Sequence, residues 1–416
     1  MQKKSEVTVT PDHDREAQRM ARTRDEITDP LLSDSSRELA REVLIHGPIA
    51  RAELGRRLGL SPASLSRLSK PFLDRGVFVE GPELTEGSVG RPVKPLDVRV
   101  DVRRFIGIKL TGEAALGVST DLRASELGSA KVDFADTSLE SVVDAVRQVV
   151  HALGAEPVAA IGISLGGNVL ESGLVQRAPF LGWRDVDLAA AVQDAVDLPV
   201  VVENDVVALT AAEHWFGAGR GLTDFAVLTI GAGVGYGLVV RDHVVRTADV
   251  GLGLLGHYPL DATGPRCFEG HRGCSTAMLS MGSMSGQVSA ALGRTLTYEE
   301  VLTLAGHDAH RGDHHGAPPG SAAARAVVDA AARSLGRLVA AVANIAMVST
   351  VVLSGEGIGL LAVARSVLDE AIAADRDPDA SPLDLLVDDS GFTPWARGAA
   401  AVAIQQSVAN LGRAGH

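Results

Sequence analysis

The sequence predicts a mixed α/β protein, with a small helical head followed by a long body in which strands and helices alternate. Three observations carry this. Residues 35–75 hold three short segments with apolar residues at helical spacing, each followed within a few residues by glycine. Residues 76–98 continue as two strand-like runs around a turn rich in Gly, Glu and Ser. From residue 104 onward, buried-strand runs such as "VAAIGISLGG" alternate with amphipathic stretches such as "SLESVVDAVRQVVHAL".

In the head, "SSRELAREVLIHG" puts Leu39, Val43 and Leu44 on one helical face and stops at Gly47-Pro48. "IARAELGRRLGL" gives a short helix with Ala52, Leu54 and Leu58 inward, closed by Gly59. In "SPASLSRLSKPFLDRG", Ser61 is a natural N-cap, Pro62 suits the first helical position, and Leu65 and Leu68 face the core. "VFVEGPELTEGSVGRPVKPLDV" then reads as a β-hairpin. Three helices and a hairpin make the plan of a winged helix-turn-helix, whose third helix enters a major groove. That helix offers Ser61, Ala63, Ser64, Ser66, Arg67 and Lys70, all small or basic, as a face able to approach bases closely. Arg51, at the start of the second helix, joins these candidate DNA contacts, and Arg91 in the wing segment "VGRP" suits an A·T-rich minor groove. Residues 33–98 are therefore expected to bind a double-stranded DNA operator. A two-fold operator calls for a two-fold protein, so a homodimer or higher homo-oligomer is expected.

Bulk properties set the frame. The chain has 416 residues, 46% of them apolar, which is enough to bury sizeable cores. Residues 1–100 carry 17 Lys and Arg against 16 Asp and Glu, while 101–416 carry 22 against 36, so the acidic surplus lies in the body. Residues 1–32 mix charges without apolar periodicity and are expected to be a disordered tail. No apolar run reaches the roughly 18 residues of a membrane span, and the first residues lack a signal-peptide core, so a cytoplasmic protein without membrane contact is expected. In that reducing compartment the two cysteines, Cys267 and Cys274, point to a metal site or a packed, reduced loop rather than to a disulfide. "GHDAHRGDHHGAPPG" at 306–320, despite its four histidines, reads as a solvated loop.

The body follows in order. "RFIGIKL" and "ALGVST" form a strand hairpin, and "DLAAAVQDAV" a helix. "PVVVEND" is a strand ending in polar residues before the helix "VVALTAAEHWFG". "DFAVLTIGAGVGYGLVV" is two strands about a glycine turn. A long Ala-rich helix at 321–349, the strand "TVVLSGEGIG" and the closing helix "PWARGAAAVAIQQSVANL" complete it.

From "GLSPASLSRLSKPFLDRG" and "VGRPVKPL" through "PFLGWRDVDLAAAV", "LPVVVENDVVALTAAEHWFGAG" and "LTIGAGVGYGLVV" to "LLGHYPLDATGPRC" and "HRGC", the chain resembles the ROK family of repressors and sugar kinases. The resemblance implies a winged helix joined to an actin- and hexokinase-like, ribonuclease H-like pair of lobes. By it, 99–416 is the ROK domain, with a first lobe of about 99–200 plus a C-terminal helix 394–412, and a second lobe of about 201–393. It also implies a sugar site at Asn204, Asp205 and His257, where the kinases use the Asp to take a proton from the sugar hydroxyl. Lys109 in "GIKLTGE" stands where those kinases carry an Asp for metal and phosphate, and lysine cannot ligate Mg²⁺. "IGAGVG" keeps Gly231, Gly233 and Gly235 but has Ala232 in place of a hydroxyl, while Leu254 and Thr276 occupy positions where the family usually has Glu.

By the same resemblance, His257 with Cys267, Glu269 and Cys274 keeps the spacing of a His/Cys₃ zinc site, ten, twelve and seventeen residues after the His, with Glu269 replacing one cysteine. His271 is an alternative fourth ligand, and a metal-free packed loop the rival reading. The expectation is a DNA-binding repressor of carbohydrate-related genes with a non-catalytic body for dimerisation and sugar sensing. The alternatives are a sugar kinase with an appended DNA-binding domain and an effector-independent regulator whose body is a scaffold.

Overall fold

The computed structural model describes residues 33–82, 94–154, 157–170, 172–307, 318–389, 391 and 393–408. The expected tail at 1–32, the wing turn with Arg91, the loop histidines at 310, 314 and 315, and the end of the closing helix at 409–412 lie outside them.

The head consists of α1 (Asp34–His46), α2 (Arg51–Leu58) and α3 (Pro62–Asp74), then β1 (Phe78–Glu80) paired antiparallel with β2 (Leu96–Val98). Local chemistry sets the helix ends. The Ser33 hydroxyl accepts from the Ser36 amide, the Ser61 hydroxyl accepts from the Ser64 amide with Pro62 directly behind it, and α2 ends at Gly59 with φ 63°, a conformation that favours glycine. Leu39, Leu44, Leu54, Leu65, Phe72 and Phe78 are fully buried, with the Phe72 and Phe78 rings stacked at 4.6 Å. Burying each such side chain contributes about 1.5–3 kcal/mol. Ala52, expected inward, is exposed: it lies two residues, about 200° of helical turn, from Leu54, and both cannot face one core.

The body has two five-stranded sheets. In the first, β3 (Arg104–Leu110), β6 (Val158–Leu165) and β10 (Val200–Asn204) run parallel, and β4 (Ala114–Thr120) and β5 (Glu126–Asp133) continue from β3 as an antiparallel meander. A small sheet of β7 (Asn168–Val169), β8 (Leu174–Ala178) and β9 (Trp183–Asp187) flanks it. α4 (Leu139–Leu153), capped by Ser138, packs on β4 and β5, and α5 (Leu188–Val196) precedes β10. α6 (Asp205–Phe216) springs directly from β10.

The second sheet has the order β13-β12-β11-β14-β15, formed by β11 (Phe225–Ile230), β12 (Val234–Val240), β13 (His243–Val244), β14 (Thr350–Ser354) and β15 (Asp384–Val387). α7 (Ser275–Leu279), α8 (Met281–Leu292), α9 (Tyr298–His307), the 26-residue α10 (Ser321–Ala346) and α11 (Leu361–Asp375) belong to this lobe. α12 (Thr393–Ser407) returns to the first sheet. It lies so close that a Cβ on Gly107 or Gly162 would come within 2.0 Å of the Ala396 carbonyl or 1.8 Å of the Ala399 carbonyl.

The head is not a tethered bead. Leu39, Leu44, Phe72 and Phe78 share one apolar cluster with Phe105, Leu122, Trp215 and Ile404 of the body. Among the described residues, no helix is long and apolar enough to cross a membrane.

Candidate DNA-binding face, ligand crevice and metal loop

On α3 the side chains of Ala63, Ser66, Arg67 and Lys70 are exposed, and Arg67 and Lys70 make no hydrogen bond or ion pair among the described residues. Ser61 is exposed but committed as the cap, its hydroxyl also donating to the Ser64 hydroxyl, and Ser64 is half-buried. Arg51 does not point outward unpaired. It donates to Glu80 Oε1 at 2.6 Å and to the Lys94 carbonyl at 3.1 Å, so it binds α2 to the hairpin.

The crevice lies where β10 hands over to α6, at the carboxyl end of a strand, the usual ligand position of an open α/β sheet. Asn204 is the N-cap of α6. Its Oδ1 accepts from the Val206 and Val207 amides at 3.0 and 3.1 Å, and its Nδ2 donates to the Gly167 carbonyl at 2.9 Å and to Asp205 Oδ1 at 3.3 Å. Those bonds use its full complement, so Asn204 positions the turn and has none left for a sugar.

Asp205 Oδ1 accepts from the Val206 amide at 2.9 Å, and its Oδ2 pairs with the Lys109 ammonium from β3. Both side chains are nearly buried, and the Lys109 Nζ also lies 5.0 Å from the centroid of the Trp395 ring. Sequence reasoning flagged Lys109 as an obstacle to metal binding but not as the partner of Asp205.

Glu356 was missed altogether. It follows Gly355 at the end of β14, and a Cβ on Gly231 would lie 2.3 Å from Glu356 Oε2, so this carboxylate covers the first glycine of the "IGAGVG" turn. Burial pushes the Glu356 carboxyl above its ordinary range, opposed in part by Lys109. Phe180, 59% exposed, stands at the rim: a Cβ on Gly166 would be 3.2 Å from its ring and 3.4 Å from Asp205 Oδ2. Leu254 is 68% exposed, and Thr276 donates to the Gly256 carbonyl at 2.7 Å, bracing the loop that carries His257.

In that loop the Cys267 and Cys274 thiols each lie 3.7 Å from His257 Nδ1, and Cys267 Sγ is also 3.7 Å from His271 Nδ1. Tetrahedral zinc, with Zn–S near 2.3 Å and Zn–N near 2.0–2.1 Å, places sulfur and nitrogen ligands about 3.6 Å apart, so the donors fit that ion. The expected ligand Glu269 does not join them. Its carboxylate is 3.2 Å from Nε2 of His257, the nitrogen on the far side of the ring, while His257, Cys267 and His271 bring their donor atoms within 4.8 Å of one another. A side chain two bonds longer than a cysteine thiol overreaches the donor cluster and meets the imidazole from outside. Glu269 thereby occupies the nitrogen of His257 that faces away from the cysteines.

The ROK family model matches residues 105–406. The DNA-binding transcriptional repressor Mlc of Escherichia coli K12 is 28% identical over 246 residues, a match spanning 57% of this chain and 61% of Mlc. The xylose repressor of Bacillus subtilis 168 is 24% identical over 273 residues, 64% of this chain and 71% of the repressor. Among solved structures, a ROK family transcriptional regulator described as a homolog of E. coli Mlc superposes with a TM-score of 0.73 at 23% identity, covering 91% of this chain and 98% of its own. A ROK family glucokinase from Streptomyces griseus, solved with glucose and AMPPNP, gives 0.60 at 25% identity over 72% of this chain and 98% of its own. The lobes are thus shared with regulator and kinase alike, whereas the regulator's match extends over the head as well. With the family model spanning both sheets and α12, the chain belongs to the ROK family.

Proposed function

We propose that this chain is a DNA-binding transcriptional repressor of carbohydrate-related genes, acting in the cytoplasm as a homodimer on a two-fold operator. The observation that carries the reading is the exposed, small and basic face of α3, with Arg67 and Lys70 free to meet bases and phosphates. Relatives named as repressors of xylose and N-acetylglucosamine genes support the carbohydrate connection. The body is read as non-catalytic, because Lys109, which cannot ligate Mg²⁺, holds Asp205, while the Glu356 carboxylate covers Gly231 of the glycine turn and would repel a phosphate there. Asp205 and the rim of Phe180 are the surfaces left to a sugar or sugar derivative, an aromatic face being suited to an apolar sugar face.

Zinc, held by His257, Cys267, Cys274 and His271, would cross-link the 257–274 loop and stabilise it. It is read as structural, with no open position for chemistry. A second reading, of a body that senses nothing, is favoured by the internal commitments of Asn204 and of His257 Nε2. The decisive experiment incubates the purified chain with a randomised duplex pool and sequences what is retained. Recovery of a two-fold motif, bound more weakly and with preference relaxed at one position by Arg67→Ala, supports the repressor. ATP-dependent hexose phosphorylation abolished by Asp205→Asn would replace it with the kinase. A panel of pentoses, hexoses and amino sugars that leaves both melting and DNA binding unchanged would select the scaffold.

A further inference from the structure

Two arginines join the head to the body, and each reaches a different lobe. Arg41, in the middle of α1, pairs with Asp242 in the turn between β12 and β13 of the second lobe. Its guanidinium also lies 5.9 Å from the Trp215 ring at the end of α6. Asp242 Oδ1 is shared with His214 Nε2 at 2.8 Å, and the Asp242 amide donates to the Thr223 carbonyl at 2.8 Å, so the turn is firmly seated.

Arg123 comes from the first lobe, in the turn between β4 and β5. It donates to the Leu44 carbonyl at 3.0 Å and the Val43 carbonyl at 3.3 Å, and it pairs with Asp97 of the hairpin. Those carbonyls belong to the last turn of α1, where a cation is favoured by the helix dipole, and the Val43 carbonyl also accepts from the Gly47 amide.

α6 runs between the lobes, from the crevice at Asp205 to this junction, a length of about 18 Å for twelve residues. On the second-lobe side it lies against the glycines of β12, where a Cβ on Gly237 would fall 1.9 Å from Thr210 Oγ1. On the first-lobe side it meets α12, where a Cβ on Gly398 would fall 2.8 Å from the backbone of Ala208 and Leu209. Arg397 of α12 donates to the Phe216 carbonyl at 2.9 Å and to the Ala124 carbonyl at 3.0 Å, tying the far end of α6 to the Arg123 turn.

We propose that Arg41 and Arg123 form a two-point clamp that fixes α1 to the two lobes separately, so that the angle between the lobes sets the position of the recognition helix. α1 is one continuous helix packed in the same core as α3, and it cannot follow two lobes that rotate apart. The junctions are unequal. The first-lobe side includes a shared apolar core with Phe105, Leu122 and Ala124, and α6 between the lobes adds Trp215 to it, whereas the contact to the β12–β13 turn is an ion pair whose side chains remain 26% and 39% exposed. Arg41–Asp242 is therefore the contact that yields, and lobe rotation swings the head with the first lobe. Binding and lobe angle are linked reciprocally, so DNA on α3 must also be felt in the second lobe. The inference rests on the DNA-binding reading above.

The test is hydrogen exchange of the full chain, free and with the duplex it recovers from the randomised pool. In the parent, the duplex should slow exchange at least about twofold in 237–246 and in 121–126, beyond the head itself. Arg41→Gln or Asp242→Asn should erase the response at 237–246 and leave that at 121–126, with duplex affinity within about threefold of the parent. Arg123→Gln should do the reverse. Protection confined to residues 33–98 in the parent, or a 237–246 response that survives in both Arg41→Gln and Asp242→Asn, overturns the clamp. A chain that recovers no duplex fails at the pool step, which removes the DNA-binding reading and the clamp with it.

Discussion

Lys109 on β3 and Asp205 at the start of α6 form an ion pair across the mouth of the crevice, nearly shielded from solvent and closed from behind by Trp395. One substitution thus performs two roles. Lysine offers no oxygen donor to a divalent cation, and it supplies a permanent counter-charge to the nearly buried Asp205.

Removing one partner should therefore hurt more than removing both. Lys109→Met leaves the Asp205 carboxylate facing a poorly hydrated wall beside Glu356 and should cost about 1–3 kcal/mol, between the values for exposed and for buried pairs because some exposure remains. Lys109→Met with Asp205→Asn should recover at least half of that loss. Urea denaturation of the two single variants and the double variant measures the cycle, and additive losses would mean that the pair contributes no coupling.

Recognition and scaffold arginines in the head should separate cleanly. Arg67→Ala should cost about 1–3 kcal/mol on the preferred duplex and relax preference at one position, and Lys70→Ala should lower the salt slope by about one. Arg51→Ala removes its bonds to Glu80 and the Lys94 carbonyl, so it should lower the melting temperature while leaving the selected motif unchanged. Fluorescence anisotropy across a salt series, with melting alongside, distinguishes the two outcomes.

Metal analysis of protein prepared without chelator should find about one zinc per chain, lost in both Cys274→Ser and His271→Ala. Glu269→Gln should retain zinc with affinity reduced about 10–100-fold, as for a residue that orients a ligand through its other nitrogen. Retention in His271→Ala together with loss in Glu269→Gln would restore the carboxylate to the ligand set.

Burial holds the His214 imidazole below its ordinary value near 6.5, although its hydrogen bond to Asp242 pulls the other way. The folded state therefore resists a proton that the unfolded chain accepts. This contribution to stability is complete above pH 6.5 and is lost as pH falls from there towards the folded value. Denaturation midpoints should fall on acidification across that window, and His214→Gln should make the fall shallower. An unchanged slope would place the acid sensitivity in other groups.

Much of the head was legible, because its determinants are local, although Ala52 faces outward and Arg51 is held by Glu80. Ser61 caps α3 through an amide three residues away, Gly59 ends α2 by its own φ, and Leu39, Leu54 and Leu65 announce a core by periodicity. The β3, β6 and β10 strands declared themselves as continuous apolar runs. β5 passed unnoticed because an edge strand exposes every second residue in a stretch of Glu, Gly, Ser and Lys, and α8 because its Gly- and Ser-rich sequence becomes helical only against the lobe core.

At the sites the division is sharper. Sequence showed a lysine at 109, with no oxygen donor for Mg²⁺, and Asn204 and Asp205 at the end of a strand, while the family resemblance supplied the metal spacing of His257 and the cysteines. Only the tertiary structure decided that Lys109 reaches Asp205 across 96 positions of chain, that Glu356 covers Gly231, that His271 stands beside His257 and Cys267 while Glu269 meets the far nitrogen of His257, and that Arg41 meets Asp242. The physical reason is range. Caps, turns and periodic faces are set by neighbours within a few bonds, whereas a charge finds its partner according to which strands and helices pack together, and no local signal in either segment encodes that meeting.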